Sequence, residues 1–467
     1  MKQTAALGVT AIMTAAMTFA AAPTIREKSV TFEQDAGRLV TIKYILDGAP
    51  GIITLDIETN RTGTATNDDA DWISIGGENI QHLSGGSVNR LVENLGENRI
   101  YWKADRSWPN QRIRFDAIRA RVTAWSTNTP PNYLVVDMTG EEPPAYYTGE
   151  DFLPSGGLTN NRYRERYMVM RKIPAAGVKW KMGSPEGSIS RKSDEVLHDV
   201  VLSADYFMAV FPVTVGQYKN CPASSSYAHG GYGVFNDTYT NGCPRSLTAW
   251  KGMIRGYHNK VCWPEDRHKV DTGTFLANLR TRTGIDFDLP TEAQWEFACR
   301  AGCGAICYTG ENPTTATGLI AALSKVAWYD GNSDRVTWQT SSAKNGRDKG
   351  YRVVGQLVPN NWGLYDMCGN ILEECLDWYG PYTNGVDSVY YDPEGISTAQ
   401  MTEKTGVATN QTLASTEDKY RVFRGGRYAG SYPGIRPSER WQGAASGSFS
   451  GARLMCPVTL KFPDSEK

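Results

Sequence analysis

The segment at residues 361–379, NWGLYDMCGNILEECLDWY, limits what this chain can fold into more than any other stretch. It interleaves acidic with large apolar residues and is interrupted by Gly363 and Gly369. The acidic residues are Asp366, Glu373, Glu374 and Asp377, and the apolar ones are Trp362, Leu364, Met367, Ile371, Leu372, Leu376, Trp378 and Tyr379. This order matches neither an amphipathic helix nor an alternating strand. Carboxylates so close to apolar side chains need partners, either a hard cation or paired arginines.

The length and charge of the chain exclude several classes of protein. At 467 residues it is too long for one ordinary hydrophobic core, so two domains are expected. Its 49 Lys and Arg against 50 Asp and Glu give a formal net charge of -1. No electrostatic feature therefore supports a nucleic-acid partner.

The N-terminus has the pattern of a secretory signal peptide over residues 1–22. Lys2 supplies a positive charge, an apolar run follows at residues 5–22, and three alanines end it. A membrane anchor is the alternative, but the run is short and only weakly hydrophobic. No second segment is apolar enough to span a bilayer. We therefore expect a secreted or periplasmic bacterial protein with no membrane span beyond the signal peptide.

All nine cysteines lie between Cys221 and Cys456, and none lies in the first 220 residues. In an oxidising compartment cysteines form disulfides more often than they bind metals. The odd number leaves at least one cysteine unpaired. Cys299, Cys303 and Cys307 are spaced by four, but the glycines between them would break a helix, so we expect them to have separate partners rather than to form a metal site.

Residues 24–140 have the pattern of a small all-β sandwich of the immunoglobulin-like type. Apolar Ile53, Leu55 and Ile57 alternate with polar residues, and a period of two recurs at Ile118–Trp125. Residues 141–165 have the Pro- and Gly-rich composition of a linker. We therefore expect a second domain at residues 166–458.

The second domain has an α+β pattern with little regular secondary structure. Two helices are clear, one near residues 274–281 and one at residues 291–301. The second begins with a capping box formed by Thr291 and Gln294 and has a C-cap at Gly302. The rest of the domain consists of short strands and long turns.

The motifs of this domain follow one another in an order that resembles the formylglycine-generating enzyme family, also called sulfatase-modifying factor domains. They are Met182-Gly183-Ser184, Asp194-Glu195 with His198, FPVT at 211–214, LPTEAQWEFACRAG at 289–302, the segment at 361–379, RVFRGG at 421–426 and Gly451-Ala452-Arg453. The resemblance covers about residues 166–458 and leaves the N-terminal sandwich outside. It implies a C-type-lectin-like fold.

The same resemblance implies structural calcium and one disulfide. By motif position the calcium ligands would be the carboxylates of Asp366 and Glu373 and the carbonyls of Gly369 and Ile371. These are donor atoms that a hard cation prefers. The family disulfide, carried over to this chain, would join Cys299 to Cys456.

The catalytic centre of the family is not repeated in this sequence. Its oxidases carry two cysteines shortly after the RGG motif, where soft thiolates bind copper. Here residues 424–440 read RGGRYAGSYPGIRPSER, without a cysteine and with Gly430 at the first expected position. The sequence therefore predicts no catalytic residue and no copper.

We therefore expect a secreted binding protein that recognises an unknown glycan or protein through its C-terminal loop. The candidate ligand-binding residues are Arg427, Tyr428, Ser431, Tyr432, Arg436, Arg440 and Trp441. Aromatic residues and arginines on a loop are typical of recognition sites. The alternative for the last two arginines is internal salt bridges, and for Tyr428 and Trp441 it is packing.

Two other functions stay open. One is a divergent formylglycine-generating oxidase, or an accessory subunit that acts on exported sulfatases, because the whole scaffold is retained. The other is a structural component of the cell envelope. The sequence favours the binding function over both.

Overall fold

The computed structural model describes residues 21–62, 68–224, 240–246, 253–256, 263–264, 267–335, 348–382, 388–397, 400, 421–442 and 450–459. The signal peptide predicted at residues 1–22 lies outside these ranges except for its last two residues. In the described part of the chain, no helix has the length and apolar character needed to cross a bilayer.

The N-terminal part consists mainly of antiparallel strands. They are β1 (Thr24–Ile25), β2 (Thr31–Gln34), β3 (Leu39–Asp47), β4 (Gly51–Asn60), β5 (Trp72–Ser74), β6 (Leu83–Gly85), β7 (Arg90–Val92), β8 (Gly96–Lys103) and β9 (Ile118–Trp125). One sheet has the order β1-β3-β8-β6 with β2 on β3, and the other has the order β5-β4-β7 with β9 on β4. The two sheets share one hydrophobic core.

The period of two in β3 and β4 explains this shared core. Alternate residues of β3 are buried, and Ile42 pairs with Ile100 of β8. On the other sheet, Leu55 of β4 pairs with Val122 of β9. Successive side chains of a strand point to opposite faces, so each sheet places one apolar face inward. The prediction of strands in this part is confirmed, while the immunoglobulin-like sandwich stays a prediction.

The rest of the chain has many short strands. They are β10 (Tyr133–Asp137), β11 (Ala145–Tyr147), β12 (Tyr167–Ile173), β13 (Lys179–Met182), β14 (His198–Val201), β15 (Tyr206–Ala209), β16 (Ala327–Trp328), β17 (Asp334–Arg335), β18 (Asp348–Lys349), β19 (Cys368–Gly369), β20 (Leu372–Trp378), β21 (Val389–Tyr391), β22 (Arg421–Arg424), β23 (Trp441–Gln442), β24 (Ser450–Gly451) and β25 (Met455–Pro457). The α-helices are α1 (Ala104–Ser107), α2 (Arg162–Glu165), α3 (Val215–Asn220), α4 (Phe275–Thr283), α5 (Glu292–Arg300) and α6 (Ala316–Leu323). Short 3-10 helices cover Asp69–Asp71, Gly77–Asn79, Phe115–Ala117, Glu150–Phe152, Gly157–Thr159 and Tyr432–Ile435. This mixture of helices and strands agrees with the predicted α+β class.

The predicted domain boundary at residue 140 and the predicted linker at 141–165 are wrong. β10 and β11 belong to a five-stranded sheet with the order β11-β10-β12-β15-β25. Tyr146, Leu153, Leu158 and Tyr163 of the expected linker are buried. The Pro and Gly content of this segment forms turns between buried aromatic and aliphatic side chains, so its composition alone was misleading.

The five-stranded sheet is covered on both faces. Along β10, Tyr133 and Val135 belong to one core cluster, and Leu134 and Val136 belong to the other. Consecutive buried residues are typical of a strand that lies between two layers. This burial on both faces makes the sheet the centre of the larger part of the molecule.

Both predicted helices are confirmed, as α4 and α5. Thr274 caps α4 through its side chain, and Thr291 and Gln294 form the predicted capping box of α5. The C-cap differs by one residue, because Ala301 takes the left-handed conformation with φ +47. Helix α5 is almost wholly buried, and it carries charged groups into the core of the domain.

Candidate functional site

The predicted ligand-binding loop is fixed from inside by buried arginines. Arg424, at the end of β22, forms ion pairs with Glu296 and Glu292 of helix α5. Arg440 donates to both carboxylate oxygens of Glu292, at 2.6 and 2.8 Å. Arg440 is only 4% exposed. The prediction that Arg440 contacts a ligand on the loop surface is therefore wrong, and the alternative of an internal salt bridge is correct.

Arg436 has the same structural role at the middle of the loop. It is fully buried and donates to both oxygens of Glu195, at 2.6 and 2.8 Å, and to Glu439 at 2.7 Å. Burial alone would raise the pKa of Glu195, but the hydrogen bonds and charge of Arg436 outweigh it and lower the pKa to about 2. Arg436 therefore fixes the loop to Glu195 and is not a ligand-binding residue.

Four of the seven candidates reach the surface. Ser431 is exposed, and Arg427, Tyr432 and Trp441 are partly exposed. The indole N–H of Trp441 donates to the Gly434 carbonyl at 2.9 Å, which fixes the ring on the loop. Lys192 lies 5.0 Å from the centre of that ring. These four residues form what we call the loop surface.

Tyr428 and Gly430 lie on the inner side of the loop. Tyr428 is 9% exposed and packs edge-on against Tyr351 at 4.8 Å, so it is a packing residue. The Gly430 carbonyl accepts a hydrogen bond from the amide of Asp330 at 3.0 Å. A Cβ at Gly430 would lie 3.1 Å from the Arg427 carbonyl, so a side chain there would require a small adjustment.

The predicted calcium ligands lie close together in sequence, but they differ in whether other protein groups already bind them. Asp366 is buried, and its Oδ2 accepts the Gly355 amide at 2.7 Å. Its Oδ1 has only a long contact of 3.4 Å with the Asn370 amide. Burial raises the pKa of Asp366 to about 6, which is the effect that a bound cation would reverse.

Glu373 and Gly369, by contrast, already have partners. Arg453 and the indole N–H of Trp295 donate to Glu373, and the Gly369 carbonyl accepts the Ile371 amide at 2.7 Å. The four predicted calcium ligands therefore fit a cation only in part, through the carboxyl of Asp366. In the described ranges, no group of three or more His, Cys, Asp or Glu side chains could hold a metal ion.

The predicted disulfide between Cys299 and Cys456 is not formed. Both are free, buried thiols, and they belong to different core clusters. Cys299 shares its cluster with Cys307 and Cys368, and its thiol donates to the Met367 carbonyl at 4.0 Å. Cys456 pairs with Phe207 in the five-stranded sheet and packs in the second cluster, so the prediction is wrong.

A cavity of about 270 Å³ lies where helix α5 begins and strand β20 ends. Glu292, Asp377, Trp378 and Arg440 line it together with apolar and aromatic side chains. Burial, followed by the charge of Glu292, raises the pKa of Asp377 to about 8. A buried carboxyl with so altered a pKa in a concave site is a candidate functional group.

Sequence reasoning missed this cavity. Asp377 was noted among the acidic residues at 361–379, and Glu292 within the α5 motif, but neither received a role. The two are 85 positions apart in the sequence, and the 2.6 Å hydrogen bond from the Glu292 amide to Asp377 depends on how α5 packs on β20. The sequence feature that could have pointed to this site is the carboxylate of Asp377 between the apolar Leu376 and Trp378, because such a carboxylate needs a partner.

Comparison with known proteins gives a clear match for most of the chain. Residues 162–456 match the family model described as sulfatase-modifying factor enzyme 1-like domain. This range agrees with the resemblance found in the sequence at about 166–458 and begins at helix α2. The N-terminal strands lie outside it.

Individual relatives match over shorter segments. The serine/threonine-protein kinase pkn1 of Chlamydia pneumoniae is 28% identical over 259 residues, which cover 54% of this chain and 33% of that protein. The formylglycine-generating enzyme of Thermomonospora curvata is 28% identical over 138 residues, which cover 29% of this chain and 42% of that enzyme. This chain therefore matches less than half the length of either relative.

Two solved structures are each similar to part of the chain. Treponema denticola variable protein 1 is 20% identical with a TM-score of 0.40, and the match covers 62% of this chain and 95% of that one. PvdO from Pseudomonas aeruginosa is 20% identical with a TM-score of 0.36, over 62% of this chain and 94% of that one.

Proposed function

This chain belongs to the sulfatase-modifying factor enzyme 1-like family, and we propose that it is an exported binding protein without catalytic activity. Its ligand, a glycan or a protein, contacts the loop surface. The observation that carries the proposal is the construction of the loop at residues 424–440. Buried ion pairs fix its inner side, and Arg427, Ser431, Tyr432 and Trp441 remain at its outer side.

Rigid presentation of aromatic and polar groups favours binding. Residues that are already ordered lose little conformational entropy when a ligand arrives. Trp441 is held by its hydrogen bond to Gly434, and Lys192 adds a positive charge over its ring. Aromatic rings with hydrogen-bonding neighbours are typical of recognition surfaces.

The sequence of the same loop supports the absence of oxidase chemistry. The family mechanism needs a pair of thiolates for copper, and residues 424–440 contain no cysteine. Gly430 occupies the first expected position and its carbonyl helps to fix the loop. Without the thiolates, the retained scaffold serves to present a surface.

Arrays of glycans and peptides, probed with the purified full chain, test this proposal. Tyr432→Ala and Trp441→Ala should each weaken binding to the recognised probe, whereas Phe115→Ala should not. Phe115 is a suitable control because it is a 60% exposed aromatic residue of the N-terminal part. Binding by both loop variants at the level of the parent protein would contradict a role for the loop surface.

We also propose that calcium stabilises the segment at 361–379. Asp366 supports this proposal, since its buried carboxyl lacks a cationic partner at hydrogen-bond distance among the described residues. A bound calcium would supply positive charge to this carboxyl and to nearby carbonyls. Arg453 already neutralises Glu373, so Asp366 would be the principal side-chain ligand.

The second candidate function is a divergent oxidase or an accessory subunit for exported sulfatases. It is favoured by the relatives named formylglycine-generating enzyme, including the one from Streptomyces coelicolor at 31% identity over 141 residues. The test is oxygen consumption with copper and a Cys-x-Pro-x-Arg peptide. Turnover would replace the binding proposal, and the absence of both copper binding and turnover would remove the oxidase.

A further inference from the structure

The cavity between α5 and β20 is lined by Asp377 and Trp378, and each of these side chains has a polar atom without a hydrogen-bond partner among the described residues. Asp377 is 2% exposed, and its Oδ2 accepts the Glu292 amide at 2.6 Å. The hydrogen bond that the structure gives this carboxylate is to Oδ2, and Oδ1 accepts none from the described residues. Trp378 is 1% exposed, and its indole N–H also has no hydrogen-bond partner there. Buried polar groups are nearly always satisfied, so the indole N–H of Trp378 requires an explanation.

Internal cations do not satisfy Asp377 at hydrogen-bond distance. Arg440 is the cation among the described residues that line the cavity. Its N–H groups are taken by Glu292 and by the carbonyls of Gly380 and Asp194, at 3.0 and 3.3 Å. Arg440 also stacks on the ring of Tyr382 at 4.2 Å. It therefore cannot approach Asp377 Oδ1 without breaking these contacts.

The charge of the cavity favours a cationic ligand. Asp392 and Glu394 lie at its rim, and Glu394 is paired with Arg267 while Asp392 accepts the Ser203 amide. An anion would face these carboxylates, and Arg440 is already paired with Glu292. A cation, by contrast, would stabilise the ionised form of Asp377 and recover part of the cost of burying it.

The unpaired indole N–H of Trp378 limits which ligands the cavity can hold. The indole N–H of Trp378 can only donate, so the ligand must also carry an acceptor. The cavity volume of about 270 Å³ lies near the lower end of the range of about 300–1,000 Å³ that is usual for small-molecule sites. Apolar walls from Met182, Ala293 and Ile396 would contact the carbon skeleton.

We propose that this cavity binds a small amine that also carries a neutral oxygen, such as an amino alcohol or an amino sugar. Its ammonium group donates to Oδ1 of Asp377, and its oxygen accepts the indole N–H of Trp378. The site is separate from the loop surface, because Tyr432 and Trp441 do not line the cavity. The inference therefore goes beyond the proposed function, and either can fail without the other.

Isothermal titration of the full chain with matched pairs of probes tests this proposal. Glucosamine is compared with glucose, and ethanolamine with ethylene glycol, so that only the ammonium differs. We expect saturable binding of at least one amine and at least about tenfold weaker binding of its neutral partner, since hydrogen bonds to charged groups are the stronger ones. Equal binding within each pair, or no saturable binding of either amine, would overturn the proposal.

Substitution of Asp377 tests whether its carboxylate binds the amine. Asp377→Asn should weaken amine binding about tenfold or more, and Asp199→Asn should not, because Asp199 pairs with Lys179 and Lys181 on another sheet. Unchanged affinity in a folded Asp377→Asn protein would overturn the assignment.

Trp378→Phe decides the matter if Asp377→Asn does not fold, because it removes only the N–H and part of the ring. It should weaken binding of ethanolamine but not of propylamine, which has no acceptor. An equal effect on both amines, or on neither, would show that Trp378 does not recognise an oxygen and would overturn the proposal.

Discussion

Arg453 holds the carboxylate of Glu373 in a fully buried ion pair. Its Nη2 and Nε donate to the two oxygens at 2.9 Å each. The remaining N–H groups donate to the carbonyls of Ala209, Val210 and Tyr365. One guanidinium thus joins β15, β20 and the segment that precedes β25, and it already supplies a positive charge to Glu373.

Replacing Arg453 with Met should destabilise the protein strongly. It would leave Glu373 charged and buried and would also remove donors from three carbonyls. Loss of one partner from a buried ion pair typically costs about 3–5 kcal/mol. Urea denaturation should show this loss in the free energy of unfolding.

The control for Arg453→Met is Arg99→Met. Arg99 pairs with Glu97 at the surface, at 2.6 Å, with both side chains about half exposed. Exposed ion pairs contribute little, so this variant should unfold like the parent protein. Similar destabilisation by the two substitutions would contradict the structural role of Arg453.

Removal of calcium should lower the melting temperature by several degrees if the ion stabilises the segment at 361–379. A ligand that binds only the folded state stabilises it by mass action. Asp366→Asn should reduce the difference between melts in calcium and in EDTA, whereas Asp199→Asn should retain it. Identical melting curves of the parent protein in calcium and in EDTA would contradict the calcium proposal.

Much of the fold could be predicted from local sequence patterns. The capping box of α5 and the strand β4 each depend on residues within one turn or one strand, and both are confirmed, although β4 is buried almost continuously and not at alternate residues. The boundary at residue 140 failed for a different reason. The sequence around Tyr146 has the composition of a linker, but Tyr146 is buried because it pairs with Leu134 of β10 and packs against Phe207 of β15.

The candidate site was less predictable, because its geometry depends on distant partners. Arg436 and Glu195 are 241 positions apart, so no local pattern distinguishes a buried arginine from one that faces a ligand. Cys299 and Cys456 were paired by resemblance, yet the central sheet separates their clusters. Motif order identified the family, whereas side-chain partners required the structure.

Glu195→Gln should destabilise the protein at neutral pH and have little effect in acid. The folded-state pKa of Glu195 is about 2, below its ordinary value of 4.5. Its contribution is therefore present above about pH 4.5 and is lost as the pH falls through about 2. We expect a loss of about 3–5 kcal/mol at pH 7 that shrinks toward pH 3.

Urea denaturation of the parent protein and Glu195→Gln at pH 7, 5 and 3 measures this difference. Glu97→Gln is the control, since Glu97 forms an exposed ion pair with Arg99 and should show little difference at any of these pH values. An equal penalty for Glu195→Gln at pH 7 and pH 3 would show that its carboxylate charge is not what stabilises the loop.

Asp377→Asn should have the opposite dependence on pH. The folded-state pKa of Asp377 is about 8, raised by burial and then by the charge of Glu292, against an ordinary value of 3.8. The folded protein thus retains a proton that the unfolded chain releases. The contribution of Asp377 to stability is present below about pH 4 and is lost as the pH rises through about 8. Asn cannot ionise but can still accept the Glu292 amide.

The free energy of unfolding of Asp377→Asn should therefore rise relative to that of the parent protein between pH 5 and pH 9. The slope is at most about 1.4 kcal/mol per pH unit for one proton. The control is Asp199→Asn, because Lys181 and Lys179 lower the pKa of the Asp199 carboxyl in the parent protein. Its free energy of unfolding should run parallel to that of the parent over this pH range. Parallel curves for Asp377→Asn would mean that Asp377 is ionised in the folded protein, so that water or a cation already compensates its charge in the cavity.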